Sequence, residues 1–235
     1  MRPGVGVYAA AFLSMLGASA MAVAVPQWLL RLGASPEQAA LLLTAYPAAW
    51  TLTQLASGPL ADRVGRRRVA SAGLLAYSGC SVLVWLSPDP AWAASFRMAQ
   101  GIGLGMFGPA VLGMTVEAGE AAESMALLRS SQVLAMVLGP ALGGLLMEAL
   151  EPLPFLLAAA SPLLAALALP EAPPRPSSRE GGPSLPMRAE FLLTLASALL
   201  AEVVFASMEV LVPVRSSSEG WGPGAAGLIL SLIHI

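Results

Sequence analysis

The sequence predicts an all-α membrane protein: a six-helix bundle, a polar linker and the first one to two helices of a second bundle. Three observations point there. Hydrophobic residues make up 57% of the 235-residue chain and charged residues only 11%, against about a quarter charged in an ordinary water-soluble domain. Mean hydropathy is +0.74. Apolar runs of membrane-spanning length, roughly 20 residues, recur along the chain and are separated by short segments carrying Gly, Pro or charge. Backbone polar groups in lipid must be satisfied within their own segment, so runs of this length read as helices.

Taken in order, the spans fall at residues 5–30, 39–61, 69–86, 91–116, 125–150, 153–169 and 191–214, with an eighth beginning at 225. The breaks are marked by Gly33 and Pro36, by Gly65, by Ser87-Pro88-Asp89-Pro90, by Gly119, and by Pro152 with Pro154, residues that punctuate helices. Short connections imply antiparallel neighbours. Residues 171–189, rich in Pro, Ser and charge without apolar period, read as a flexible cytoplasmic linker. The expected organisation is therefore a bundle over 1–170, a linker over 171–189 and an incomplete second bundle over 190–235.

Arginine placement gives the orientation. All 12 basic residues are arginine. With the N-terminus cytoplasmic, Arg2, Arg63, Arg66, Arg67, Arg68, Arg129, Arg175, Arg179 and Arg188 lie inside, against Arg31 and Arg215 outside. A cleaved signal peptide is the competing reading of the first twenty residues, but the apolar run continues to Leu30, too long for a signal core. A net charge of −2 excludes a basic nucleic-acid surface. The single cysteine, Cys80, allows no intrachain disulfide and reads as a small buried residue. No nucleophile–base set or metal-ligand cluster is present, so neither an enzyme, a cofactor nor a metal is expected.

The second unit begins like the first. Met21-Ala-Val-Ala-Val-Pro26 with Gly33 and Pro36 aligns without a gap with Met208-Glu-Val-Leu-Val-Pro213, Gly220 and Pro223. A parallel repeat of this period is how transporters with two six-helix halves are built.

Three motifs then point to one family. The first is Gly58-x-Leu60-Ala61-Asp62-Arg63-x-Gly65-Arg66-Arg67 in the turn after the second span. The second is Arg97-x-x-Gln100-Gly101-x-Gly103 in the fourth span, and the third is Gly139-Pro140-x-x-Gly143-Gly144 in the fifth. On these the chain resembles the major facilitator superfamily, and the third motif resembles its drug:proton antiporter branches. The resemblance implies a proton-coupled exporter of small amphipathic molecules or drugs working by alternating access. Its partners are then a small-molecule substrate, protons, the lipid bilayer and the missing C-terminal half of the same protein, in a bacterial inner membrane. Alternatives are a sugar or metabolite transporter of the same superfamily, or a membrane receptor or assembly subunit without transport.

Residue chemistry gives each motif a role. Asp62 sits where a carboxylate meets a helix N-terminus and the neighbouring arginines, a latch closing the inner side; simple topology anchoring and lipid-head binding by Arg66–Arg68 is the other reading. Arg97 lies roughly 9 Å into its span at helical rise, and an ionisable group there marks a functional site, with snorkelling to the outer interface as the competing reading. Gln100 shares its face. Glu202 and Glu209, seven residues apart on one face of the seventh span, are the other intramembrane charges, with Glu202 about 18 Å from the inner end, near the midplane. A desolvated carboxylate holds its proton more tightly, as proton coupling requires; Glu209 also reads as an interfacial residue. Pro140 is expected to kink the fifth span, and Gly143 and Gly144 to admit a close neighbour. The first span carries no acid.

The eighth run is too short to cross a membrane before Ile235. Leu230-Ser-Leu-Ile-His-Ile235 also equals the translation of CTG TCT CTT ATA CAC ATC, a transposon-derived sequencing adaptor. The expectation is a frame that ran off its genomic insert, with His234 carrying no role.

Overall fold

A computed structural model of the protein describes residues 4–117, 121–171 and 189–234. Arg2, Gly119, Arg175, Arg179, Arg188 and most of the expected linker lie outside them. Among the described residues every regular element is a helix: α1 Val5–Arg31, α2 Pro36–Leu43, α3 Ala45–Val64, α4 Arg66–Trp85, α5 Pro90–Glu117, α6 Ala121–Ala149, α7 Leu153–Ala168, α8 Ala189–Ser218 and α9 Pro223–His234. Four of them, α1, α4, α5 and α6, are long and apolar enough to cross a membrane.

The helices follow the expected spans with one difference. The second span is longer than read from the sequence and is divided at Thr44, the C-cap of α2 and the N-cap of α3. Pro47 explains the break: it has no N–H to give the Leu43 carbonyl one turn earlier, so the ladder lapses there. The Thr44 hydroxyl turns back to the Leu41 carbonyl at 2.6 Å. Upstream, Ser35 and Gln38 close a reciprocal capping box on α2, satisfying N–H groups that the helix start leaves bare.

Two glycine turns carry the repeat seen in the sequence. Gly33 (φ 92°) and Gly220 (φ 76°) both occupy the left-handed region, and each is followed three residues on by the proline that opens the next helix. The second copy caps its helix differently. Where Ser35 caps α2, the corresponding position ahead of α9 is Gly222, and the Glu148 carboxylate from the end of α6 accepts the Gly224 N–H at 2.9 Å. A carboxylate there also meets the positive end of the α9 dipole.

Lipid offers helices no hydrophobic reason to associate, so packing rests on small residues and interhelical hydrogen bonds. Both are present throughout. Serine hydroxyls donate to facing carbonyls between α1 and α6 (Ser19 to Ala135, 3.0 Å), between α3 and α5 (Ser57 to Gly105, 2.8 Å) and between α4 and α7 (Ser78 to Ala159, 2.6 Å). Trp28 Nε1 on α1 donates to the Val84 carbonyl on α4 at 3.0 Å. The buried centre, including Met21, Leu29, Leu74, Tyr77 and Phe155, lies among these helices, while Leu41, Leu52, Leu55 and Leu167 are turned outward. That outward apolar surface suits a lipid-facing exterior.

At three seams the backbones themselves touch. A Cβ on Gly73 of α4 or Gly103 of α5 would run into the other's carbonyl. Gly101 and Gly105 meet α3 backbone at Tyr46 and Trp50, and Gly139 and Gly143 meet α1 at Ser19 and Ala20. Gly103→Val is expected to cost about 1–3 kcal/mol by overpacking, seen as a lower melting temperature in detergent. At Gly58 nothing lies within 4 Å of an added Cβ, so Gly58→Ala should change stability by less than about 0.5 kcal/mol.

Candidate functional site

The α4–α5 and α3–α5 seams fix α5 against two neighbours, and Arg97 projects between them. Its side chain is enclosed, with 7% relative exposure, and Gln100 one turn on is fully buried. Arg97 Nη1 donates to Gln100 Oε1 at 2.8 Å, and Gln100 Nε2 donates to Ser81 Oγ on α4 at 2.7 Å. The Ser81 hydroxyl reaches the Tyr77 and Ala158 carbonyls at 2.9 and 3.1 Å, carrying the chain of contacts to α7. The guanidinium carbon lies 4.0 Å from the centre of the Tyr46 ring on α3. Tyr46 in turn stacks on Trp50 at 6.5 Å between centroids.

This arrangement answers the snorkelling reading. An arginine bound for the outer interface keeps its head in water, whereas this one is seated on an aromatic face and hydrogen-bonded to a buried amide. A desolvated cation–π contact of this kind is worth about 2 kcal/mol. Among the described residues, Arg97 Nε and the Tyr77 hydroxyl are buried without a hydrogen bond of good geometry, although the two side chains lie close enough to interact. A guanidinium N–H and a phenol hydroxyl without well-formed bonds leave this polar centre hydrogen-bonding capacity.

Of the carboxylates expected to join it, Glu209 lies on α8, and its side chain is partly exposed. It stands 4.0 Å from His234 Nε2. Glu202 lies in α8, with its side chain outside the described residues.

The first motif closes the opposite end of the bundle. Gly65 is the only residue between α3 and α4, and its φ of 108° is one that side chains rarely adopt. That tight turn puts Asp62 at the start of α4, where it accepts from Arg66 Nη2 at 3.0 Å and Nε at 3.3 Å. Arg67 pairs with Glu171 at 2.9 Å, tying the end of the first unit to the same turn. Arg63 is exposed.

The third motif sits where α6 meets both α1 and α9. Gly139 and Gly143 face α1, Gly144 faces Pro223 of α9, and Gly227 returns the contact against Pro140. α6 runs unbroken through Pro140 from Ala121 to Ala149, so the proline is absorbed without ending the helix. The next amide, Ala141 N–H, donates to Ser231 Oγ on α9 at 3.0 Å.

The family model described as Major Facilitator Superfamily matches residues 7–235. The chain belongs to the major facilitator superfamily. It is 34% identical over 110 residues to the chloramphenicol resistance protein CraA of Acinetobacter baumannii, covering 46% of this chain and 25% of that one. The multidrug transporter MdfA of Edwardsiella ictaluri is 34% identical over 144 residues (59% and 35%), and the quinolone resistance protein NorA of Staphylococcus aureus 25% over 157 residues (66% and 40%). The chain thus spans a quarter to two-fifths of these relatives. The crystal structure of a D-xylose-proton symporter superposes with a TM-score of 0.61 at 15% identity, covering 98% of this chain and 65% of that one, which shows the shared fold. The protein is a multi-pass membrane protein of this superfamily.

Sequence reasoning missed Tyr46, Ser81 and Tyr77. Ser81, a polar residue inside an apolar run, was a signal available to it; nothing in the sequence pairs Tyr46 with Arg97 across two helices. Gln100→Leu should strip Arg97 of its hydrogen-bond acceptor and cost about 1–3 kcal/mol. Tyr46→Phe keeps the ring and should be nearly neutral, while Tyr46→Ala should lose about 1–2 kcal/mol. Thermal unfolding in detergent measures all three.

Proposed function

We propose that the protein acts in proton-coupled export of small amphipathic molecules or drugs by alternating access. The observation that carries this reading is the buried Arg97–Gln100–Tyr46 centre in a bundle of this superfamily's fold. A fixed buried cation in the first unit, with Glu202 and Glu209 assigned to face it from α8, would supply the chemistry needed to bind a solute or a proton at the junction of the units. Relatives named for resistance to chloramphenicol and quinolones, and one named a multidrug transporter, support export of drugs.

In this reading Arg97 and Gln100 supply fixed hydrogen-bond donors and acceptors, and Glu202 and Glu209 supply the titrating carboxylates. Asp62 with Arg66 latches the inner end. The glycines of the third motif set the close contact of α6 with α1 and α9 about which the units move. Residues 1–170 and 190–235 are assigned to two halves joined by the 171–189 linker, and the cycle to an assembly in which a full second half faces the first. The N-terminus is assigned to the cytoplasm of a bacterial inner membrane. Support comes from the sequence, which puts Arg63, Arg66, Arg67, Arg68 and Arg129 near span ends on one side and Arg31 and Arg215 on the other.

Expression of the full-length transporter in a drug-sensitive bacterium tests the reading. Efflux of a fluorescent drug should stop when a protonophore is added, and Glu202→Gln should lower the efflux rate about ten-fold or more at equal membrane abundance. Efflux indifferent to the protonophore would overturn proton coupling, and full activity in Glu202→Gln would remove Glu202 from the pathway.

A further inference from the structure

Gly113, on the last turns of α5, belongs to none of the three motifs. A Cβ added there would lie 2.5 Å from Arg66 Cζ and 2.6 Å from its Nε and Nη1. The Arg66 guanidinium, reaching across from the start of α4, therefore lies flat over bare α5 backbone. Its exposure reflects that seat: the Arg66 side chain is 20% exposed, while Asp62, the carboxylate it holds, is 58% exposed. Through these contacts one guanidinium joins the inner ends of α3, α4 and α5.

We propose that Gly113 is a positioning residue of the inner latch, its missing side chain forming the seat that holds Arg66, and through it Asp62, against α5. The inference deepens the exporter reading and uses it only for the transport measurement below. What would move aside for a side chain at Gly113 is the far end of a flexible arginine and not backbone, unlike at Gly73 or Gly103. Alanine also favours the helix over glycine. Gly113→Ala should therefore fold normally and yet unseat Arg66.

The test is amide hydrogen exchange across residues 61–69 in the full chain, where Gly65 N–H bonds the Ala61 carbonyl at 2.9 Å and Val69 N–H the Gly65 carbonyl at 3.1 Å. Exchange there reports opening of the α3–α4 turn. Gly113→Ala should speed it about three-fold with the melting temperature unchanged, Arg66→Ala should do the same, and the double variant should exceed neither, the non-additivity expected of residues acting through one contact. Gly108→Ala is the control on the same helix, with only Gln54 Oε1 near its added Cβ, at 3.8 Å; it should leave exchange unchanged. Parental exchange in Gly113→Ala, additive effects in the double variant, or a misfolded Gly113→Ala protein would each overturn the proposal. Drug efflux measured on the same variants separates the two readings. Normal exchange with proton-driven efflux intact sinks the seat alone, and altered exchange without any efflux in the parent sinks the exporter alone.

Discussion

Backbone-to-backbone contact at glycine is the constraint on which this bundle depends. Helices in lipid gain little by hiding leucine from one another, since the lipid tails are equally apolar. What holds them is approach close enough for dispersion and for serine hydroxyls to reach the neighbouring carbonyls. The Gly73–Gly103 seam brings α4 and α5 together, and Gly101 and Gly105 bring α5 onto α3. Ser57 then spans to the Gly105 carbonyl at the same seam. Because α5 is gripped from both sides, the orientation of its polar face is set.

That grip explains how a guanidinium can be enclosed so deep in an apolar protein. A buried charge is tolerated where its surroundings are polarised and prearranged. Here the prearrangement comes from three helices at once: the Tyr46 ring from α3, Ser81 from α4 and Gln100 from α5 itself. Moving any of these helices changes the environment of Arg97. A conformational cycle that shifts α3 against α5 would thus be felt by the buried cation, and binding near the cation would be felt by the helices. Coupling of this kind needs no long pathway, only one charge shared by several packed elements.

Much of this was legible in the sequence, for identifiable reasons. Span positions follow from run length, and the α3–α4 turn from Gly65 and its arginines, because lipid enforces both. The pairing of Arg97 with Gln100 follows from helical spacing. The break at Thr44 was missed because Pro47 sits near the start of its helix, where a proline is normally harmless, and its cost falls on a carbonyl in the preceding segment. At Pro140 the helix continues, with α9 packed on it and the adjacent amide directed to Ser231, a partner that no local pattern announces. Tyr46 and Gly113 were invisible for a shared reason. Their meaning comes from a side chain on another helix, the guanidinium of Arg97 in one case and of Arg66 in the other. Local pattern cannot supply that.

The proposed function implies that drug and proton exchange at the charge-lined centre around Arg97, as an antiporter requires. Proton release on drug binding tests it most directly, followed with a pH dye on the purified full-length transporter in weak buffer near neutral pH. The account predicts that adding drug releases protons, and that Glu202→Gln reduces or abolishes the release. Saturating drug binding with no proton release by the parent transporter would contradict it.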